Sequence, residues 1–362
     1  NSRTLYAGSQ VMHRSMDQGD HWEEISPDLS TDDSEKLKGN IEHCLISTLS
    51  ESPETPRIIW AGTDDGRVQV TLNGGGEWLD RTAALAGAGA PGKYYVARVF
   101  ASFHDPGRAY VIKTGFQYDN FVPYVFRTDD YGETWTNLSG NLPEGIIYVI
   151  VEDRINPDLL FLGRDFDVRV TLDGGKNWHS FKNNMPTVSV FDMVIHPREN
   201  DLVVATHGRG IFVTDITPLQ QLSDGIMDEE IFLFHMEPAI QWQYRNRGGL
   251  FGQKRFNVPN EPLGLRINYY IKSENRQDVE ITIKDVLGQT VRTLKAKGSA
   301  GLNHVIWDMR KEVSDEPSGQ SRQRFGRGGR APLVSPGEYL VELKTGEQTL
   351  RGKAVIRSMP GK

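Results

Sequence analysis

One eight-residue pattern recurs four times in the first half of the chain: a hydroxylated residue, then an acid or its amide, then Gly, then Trp. The copies run from Ser15 to Trp22, Thr71 to Trp78, Thr128 to Trp135 and Thr171 to Trp178. In each, the acid or amide (Asp17, Asn73, Asp130, Asp173) stands two residues before a glycine (Gly19, Gly75, Gly132, Gly175). That spacing suits a tight turn in which the Asx side chain caps its own backbone and Gly takes a positive φ. The Trp that closes each copy opens the next strand and can bury its ring. A repeat of this detail sets the architecture before any single residue is given a role.

Strand-like runs precede every copy. Leu5 to Gly8, Ile58 to Gly62, Tyr110 to Ile112 and Leu160 to Gly163 lie just upstream, and further apolar runs at Cys44 to Ile46, Tyr95 to Phe100, Ile147 to Val151 and Val190 to Ile195 come earlier still. The unit is therefore strand, strand, strand, turn motif, strand. Its shortest interval, Trp135 to Trp178, matches the ~40–45 residues of a four-stranded propeller blade. A fifth unit, Val190 to Thr214, carries no motif. About five blades are thus expected, the first without an inner strand and the last without an outer one. Because propellers close with ~4–8 complete blades, the expectation is a larger ring and a chain that is the C-terminal part of a longer protein.

These residues resemble the Asp-box, or BNR-repeat, β-propellers, a group that includes sialidases, sortilin-type receptors and xyloglucan-cleaving glycosidases. Asn73 departs from the usual Asp. The resemblance places the motif residues at the outer rim as turn structure, not as catalysts.

The 37 Gly, 18 Pro and 38% apolar residues suit an all-β protein rich in turns. No apolar run reaches the ~20 residues that span a bilayer, so membrane insertion is not expected. A net charge of −7 with acids and bases interspersed gives no footprint for nucleic acid. Cys44 is the single cysteine and falls in an apolar run, as a small buried hydrophobe would. The nine histidines are scattered without ligand spacing, so neither metal nor cofactor is expected.

After Asp215 the pattern changes. Thr217-Pro218-Leu219-Gln220 has the form of a helix start, and Gly225 that of its end. The organisation expected is propeller blades over 1–216, a helix and irregular connector over 217–258 with Arg245, Arg247, Gly248 and Gly249 near its middle, and a β-sandwich over 259–362. In that last part Leu265 to Ile271, Val279 to Ile283, Val291 to Leu294, His304 to Trp307 and Tyr339 to Leu343 alternate with period two, and Asp285 to Gly288 supplies a hairpin turn. Gly301 to Asp308 and Ser335 to Tyr339 resemble the immunoglobulin-like module of flagellar hook-cap proteins, also common at the ends of exported bacterial proteins. The whole chain resembles large bacterial proteins named as sortilin-type or BNR-repeat glycosyl hydrolases, which implies an exported protein in the periplasm, at the cell surface or outside the cell.

A glycoside hydrolase needs two carboxylates facing each other across a sugar. The candidates outside the turn motifs are Asp64, Asp65, Asp165 and Asp167. Asp119, Glu152, Arg164, His207 and Arg209 are candidates for binding a ligand. Asp64, Asp165 and His207 each follow the second strand of a unit, the end of a blade at which propellers bind ligands, although Asp64-Asp65-Gly66 is also an ordinary turn. His207-Gly208-Arg209-Gly210 offers a His and an Arg for an anion or a carboxylated sugar, or else Arg209 pairs a neighbouring acid. Arg98, Arg164 and Arg209 are the arginines available for a sialidase-like triad. The Arg-Ile-Pro signature of that family is absent, with Arg154-Ile155-Asn156 the nearest approach. The xyloglucanase comparison asks for an Asp on each of two propellers, and this chain holds at most one. The arginine- and glycine-rich tract Ser321 to Arg330 has the composition of a loop in an acidic chain.

A full scaffold without a full catalytic constellation points to an exported, non-catalytic propeller that binds a protein or a glycan, with the sandwich as spacer or docking module. The alternatives are an Asp-box glycoside hydrolase with part of its site on further blades, and a subunit of a bacterial cell-surface assembly.

Overall fold

A computed structural model describes residues 3–38, 44–182, 184–242, 262–273, 278–312 and 331–360. The chain divides into two compact units, Asn1–Gln220 and Gln221–Lys362.

The first unit holds five antiparallel sheets, each built from strands consecutive in sequence. Three of them have four strands. They are Ile46–Glu51, Ile59–Thr63, Val68–Thr71 and Leu79–Asp80; then Tyr95–Ala101, Ala109–Gly115, Asn120–Thr128 and Thr136–Asn137; then Ile147–Glu152, Leu160–Arg164, Val168–Thr171 and His179–Ser180. A three-stranded sheet precedes them (Leu5–Gly8, Met12–Ser15, Glu23–Glu24) and another follows (Val190–Ile195, Asp201–Thr206, Ile211–Asp215). The leading strands Ile46–Glu51, Tyr95–Ala101, Ile147–Glu152 and Val190–Ile195 pack one against the next. Four-stranded meanders laid face to face in chain order are the blades of a β-propeller, as the repeat implies.

Face-to-face packing explains why the second strands read as unbroken apolar runs: Ile59–Thr63, Ala109–Gly115 and Leu160–Arg164 are buried along their whole length. Separate apolar clusters fill the junctions, with Trp60, Val99 and Phe126 between the second and third sheets and Tyr110, Ile150 and Leu162 between the third and fourth. Each fully buried side chain of this size stabilises the fold by roughly 1.5–3 kcal/mol. At three junctions a glycine of the second strand takes the next leading strand directly on its backbone. A Cβ on Gly8 would lie 2.7 Å from Ile46, on Gly62 2.4 Å from Val96, and on Gly163 2.7 Å from Val190.

The closing tryptophans of the second, third and fourth copies follow the same logic, because they close on the preceding sheet. Trp178 is buried and donates from Nε1 to the Leu138 carbonyl at 2.8 Å, and half-buried Trp78 donates to the Ile25 carbonyl at 2.9 Å. Trp135 packs edge-on against Trp60 at 6.0 Å. Trp22, on the first sheet, is 47% exposed and donates within its own turn to Gly19. Among the described residues, three short helical elements of the first unit fall where the sequence suggested only loop, the first a 3-10 turn at Lys36–Lys38. A short helix, Thr82–Gly87, buries Leu85, and a 3-10 turn, Phe116–Tyr118, extends the central hairpin of the third sheet.

The helix expected at Thr217 spans Thr217–Gln221, with Asp215 accepting the Thr217 amide at 2.8 Å. Gly225 does not end it but lies within a second short helix, Asp224–Asp228. In the second unit, Ile231–Leu233, Leu265–Ile271 and Gly301–Trp307 form one sheet. Ala239–Gln241, Gln348–Ser358, Gly337–Thr345, Asp278–Lys284 and Thr290–Lys297 form the other, in that order. Trp307, Tyr269, Ile281 and Leu343 share the core. The segment expected as irregular connector therefore contributes a strand to each sheet, Ala239–Gln241 pairing in parallel with Gln348–Ser358. Three-residue strands are too short to display a period. Arg245, Arg247, Gly248, Gly249 and the tract Ser321 to Arg330 lie outside the described residues.

Candidate functional site

The acids of the turn motif are consumed by their own turns. In the fourth copy Thr171 Oγ1 donates to Asp173 Oδ1 and accepts from the Gly175 amide, while the same Asp173 oxygen accepts from the Asn177 amide at 2.9 Å. Asp17 and Asp130 repeat the pattern with His21 and Thr134. Asn73 reproduces it too, its Oδ1 accepting the Glu77 amide at 2.9 Å, so an amide serves as well as a carboxylate where one oxygen does the capping. Gly75 has φ +102° and Gly175 +95°, the region glycine favours.

Asp64 and Asp165 share one geometry. Asp64 accepts the Leu45 amide on its side chain while its own amide donates to the Leu45 carbonyl, and Asp165 does the same with Ile146. Each ties the exit of a second strand to the entry of its leading strand. At the matching place on the fifth sheet the His207 amide donates to Ser189. Asp65 is buried and accepts from the amide and hydroxyl of Thr31 and from Thr63. Burial pushes its carboxyl up, but these hydrogen bonds outweigh burial and hold it below the usual range. Asp167 bridges Arg164 at 3.3 Å and Arg169 at 2.7 Å. Arg164 is itself buried and donates to the carbonyls of Pro143 and Glu144.

Glu152 is fully buried and joins the fourth sheet to the third, accepting from Ser102 Oγ, the Phe103 amide and Tyr110 Oη at 2.7–2.8 Å. Asp119 ends the 3-10 turn in the left-handed region at φ 55°. Arg209 is exposed. A buried cation that the sequence reading passed over, Lys113, places its ammonium against the carbonyls of Gly66, Pro91 and Gly92 at 2.8–3.0 Å. Burial pushes it down to about 8.

The structure gathers a different set of side chains into a cleft. Every leading strand from the second sheet to the fifth carries a β-bulge at the same place, at Ser47, Ala97, Tyr148 and Phe191. A bulge adds one unpaired residue and re-aims its side chain. Ala97, Tyr148 and Phe191 line a cavity of about 570 Å³ together with Tyr95, Arg98 and Phe116 from the third sheet. The Tyr148 and Phe191 rings stack at 4.3 Å, and His207 leans on Phe191 at 5.2 Å. Phe191 and Phe116 remain 47% and 45% exposed.

Immediately after two of the bulges stand Arg98 and Asp192, whose side chains meet at 2.8 Å and connect the third sheet to the fifth. The Asp165 carboxylate lies near the Tyr148 hydroxyl. Burial, reinforced by this carboxylate, pushes the phenol well above its ordinary range. Of the residues anticipated from sequence, Arg98 lines the cleft, and Asp165 and His207 lie beside its Tyr148 and Phe191, while Asp64, Asp65, Asp167, Glu152 and Arg164 are engaged in the contacts just described. Among the described residues, no group of three or more His, Cys, Asp or Glu side chains could hold a metal ion. The signal for the missed residues was an aromatic or charged side chain at matching positions of successive leading strands, beside the Arg98 already singled out: Tyr148 and Phe191-Asp192.

No protein-family model matches the chain, and no curated protein matches it. Among solved structures it is similar to the GH74 xyloglucanase from Xanthomonas campestris, at 14% identity over 96% of this chain and 56% of that one, with a TM-score of 0.47. It is similar to the GH74 enzyme of Niastella koreensis, at 12% identity over 97% of this chain and 55% of that one, TM-score 0.45. It is also similar to YCF48 bound to D1 peptide, at 17% identity over 59% of this chain and 62% of that one, TM-score 0.41. The chain therefore spans 55–62% of the length of these structures. By its own sheets it is an all-β protein with propeller-type blades.

Proposed function

We propose that this chain is an exported, non-catalytic Asp-box β-propeller that binds a protein or glycan ligand in the cleft among the third, fourth and fifth sheets. The second unit is an immunoglobulin-like module serving as spacer or docking element. The observation that carries the reading is the register of the bulges. They aim aromatic side chains into one cleft, whereas the nearby carboxylates are committed, Asp192 to Arg98 and Asp165 to the Ile146 amide. An aromatic-lined concavity with few polar groups suits ligand capture. A hydrolase would instead need a protonated carboxyl and an ionised one across a sugar.

The test is a panel of polysaccharides and peptides offered to the whole chain, with binding and turnover both measured. Binding that is lost in Phe191→Ala, with no turnover, is the expected result. Turnover abolished by Asp64→Asn or Asp165→Asn would replace the binding reading with the hydrolase one.

A further inference from the structure

Arg98, half-buried in the wall of the cleft, meets an exposed acceptor beside it, Asp192, which follows the lining residue Phe191. Arg98 Nη2 and Asp192 Oδ1 lie 2.8 Å apart, with side chains 31% and 63% exposed. The Nε of Arg98 is buried without an acceptor among the described residues, so the charge of this guanidinium is answered mainly by Asp192. The two charges cancel. A ligand bearing a carboxylate or phosphate would have to displace Asp192 from Arg98, and one bearing an ammonium would have to displace Arg98 from Asp192. Either exchange gives up a charge-assisted hydrogen bond to make another. A neutral ligand keeps the pair intact.

Hydroxyl groups suit such a pair, because each both donates and accepts. Two on neighbouring ring carbons can accept from Arg98 and donate to Asp192 at once. The remaining polar side chains of the wall, Tyr95, Thr114, Gln117 and Tyr148, are neutral and can likewise donate and accept. The exposed rings of Phe191 and Phe116 offer apolar surface to the C–H face of a sugar. The volume, about 570 Å³, lies within the ~300–1,000 Å³ of small-ligand sites.

We infer that the ligand of this cleft is a neutral saccharide, held through two adjacent hydroxyls by the Arg98–Asp192 pair and stacked on Phe191. This rests on the binding reading above and narrows it to one chemical class. The ion pair is then a hydroxyl reader joining two sheets, rather than a surface contact of no consequence.

The experiment is calorimetric titration of the whole chain with neutral tetrasaccharides (cello-, manno- and malto-series), an acidic tetragalacturonate, and a pooled random heptapeptide. At least one neutral tetrasaccharide is expected to bind. Asp192→Ala and Arg98→Gln should each weaken it by about tenfold or more, since each leaves a ligand hydroxyl without its partner. Both positions are exposed enough that the thermal midpoint should hold, and Asp192→Asn, which keeps the shape and removes the charge, guards against a folding artefact. Neutral-sugar binding unchanged in Asp192→Ala and Arg98→Gln would overturn the inference. So would capture of the peptide pool or the acidic sugar in place of neutral ones, while leaving the binding reading in place. No binding by any probe, or binding indifferent to Phe191→Ala, would sink both.

Discussion

Lys113 gives the first unit a stability that climbs with pH. Its ammonium is 2% exposed on a strand buried along its length, and burial lowers it from 10.5 to about 8. The sign follows from linkage. Between about 8 and 10.5 the unfolded chain still holds the proton that the folded chain has released, so unfolding takes up a proton and stability rises with pH. From pH 7 to 9.5 the gain is roughly 2 kcal/mol, most of the ~3.4 kcal/mol that a shift of this size carries in full. The neutral amine keeps two N–H donors for the carbonyls of Gly66, Pro91 and Gly92, so the site survives deprotonation. The Cys44 thiol, which burial holds above its ordinary range, offsets part of this gain near pH 9 and above, and above pH 10 the sign reverses, because Tyr6, Tyr110 and Tyr148 are likewise held up and resist ionising in the folded state. The window to examine is therefore pH 7 to 9.5. Urea unfolding followed by tryptophan fluorescence should show the rise in the natural chain, and Lys113→Met should abolish the slope even though its absolute stability is lower. A flat or falling profile in the natural chain, or a slope that persists in Lys113→Met, would refute the reasoning.

Two other perturbations probe the scaffold. Gly75 and Gly19 share nearly the same φ, +102° and +104°, yet a Cβ would meet the Ile25 carbonyl at 2.3 Å in the first case and nothing nearer than 3.7 Å in the second. Gly19→Ala should cost about 1 kcal/mol from backbone strain alone, and Gly75→Ala a further ~1–3 kcal/mol from overpacking; equal losses in chemical denaturation would contradict the junction model. Glu152→Ala strands Ser102, the Phe103 amide and Tyr110 at a wholly buried position, and the expected loss is roughly 3–5 kcal/mol, so a change below about 1 kcal/mol in the same assay would show that these donors find other partners.

The repeat made the blades legible because its grammar is local. A hydroxyl, an Asx and a glycine build their turn within eight residues, and Asn73 could stand in for Asp because only one side-chain oxygen is used. The cleft was not legible for the opposite reason. Tyr148 and Phe191 reach it through bulges, and a bulge breaks the period of two by which a strand's faces are told apart in sequence. Arg98 and Asp192 are separated by a whole blade in the chain, and nothing local announces that they meet. Asp64 and Asp165 drew attention as acids after a second strand. In the structure each closes the hairpin back onto its entry, a contact that asks only for a side-chain acceptor at that place. Lys113 sat unremarked in Tyr110-Val111-Ile112-Lys113, because nothing in the strand shows that three carbonyls from two loops await its ammonium.

The glycine seats at Gly8, Gly62 and Gly163 remove the one compliant layer that stacked sheets usually keep between them. Elsewhere a side chain in such an interface can change rotamer and let its sheet slip or tilt; here β-branched residues of the next strand rest on bare backbone, and there is no rotamer to change. The tolerances of the cleft are therefore inherited from main-chain geometry. The strand that carries Arg98 is seated on the second sheet by Val96 on Gly62, and the strand that carries Asp192 on the fourth by Val190 on Gly163, not by the flexibility of the side chains around them. The gap between these strands is already cut to size, and the entropy of shaping it was spent when the chain folded.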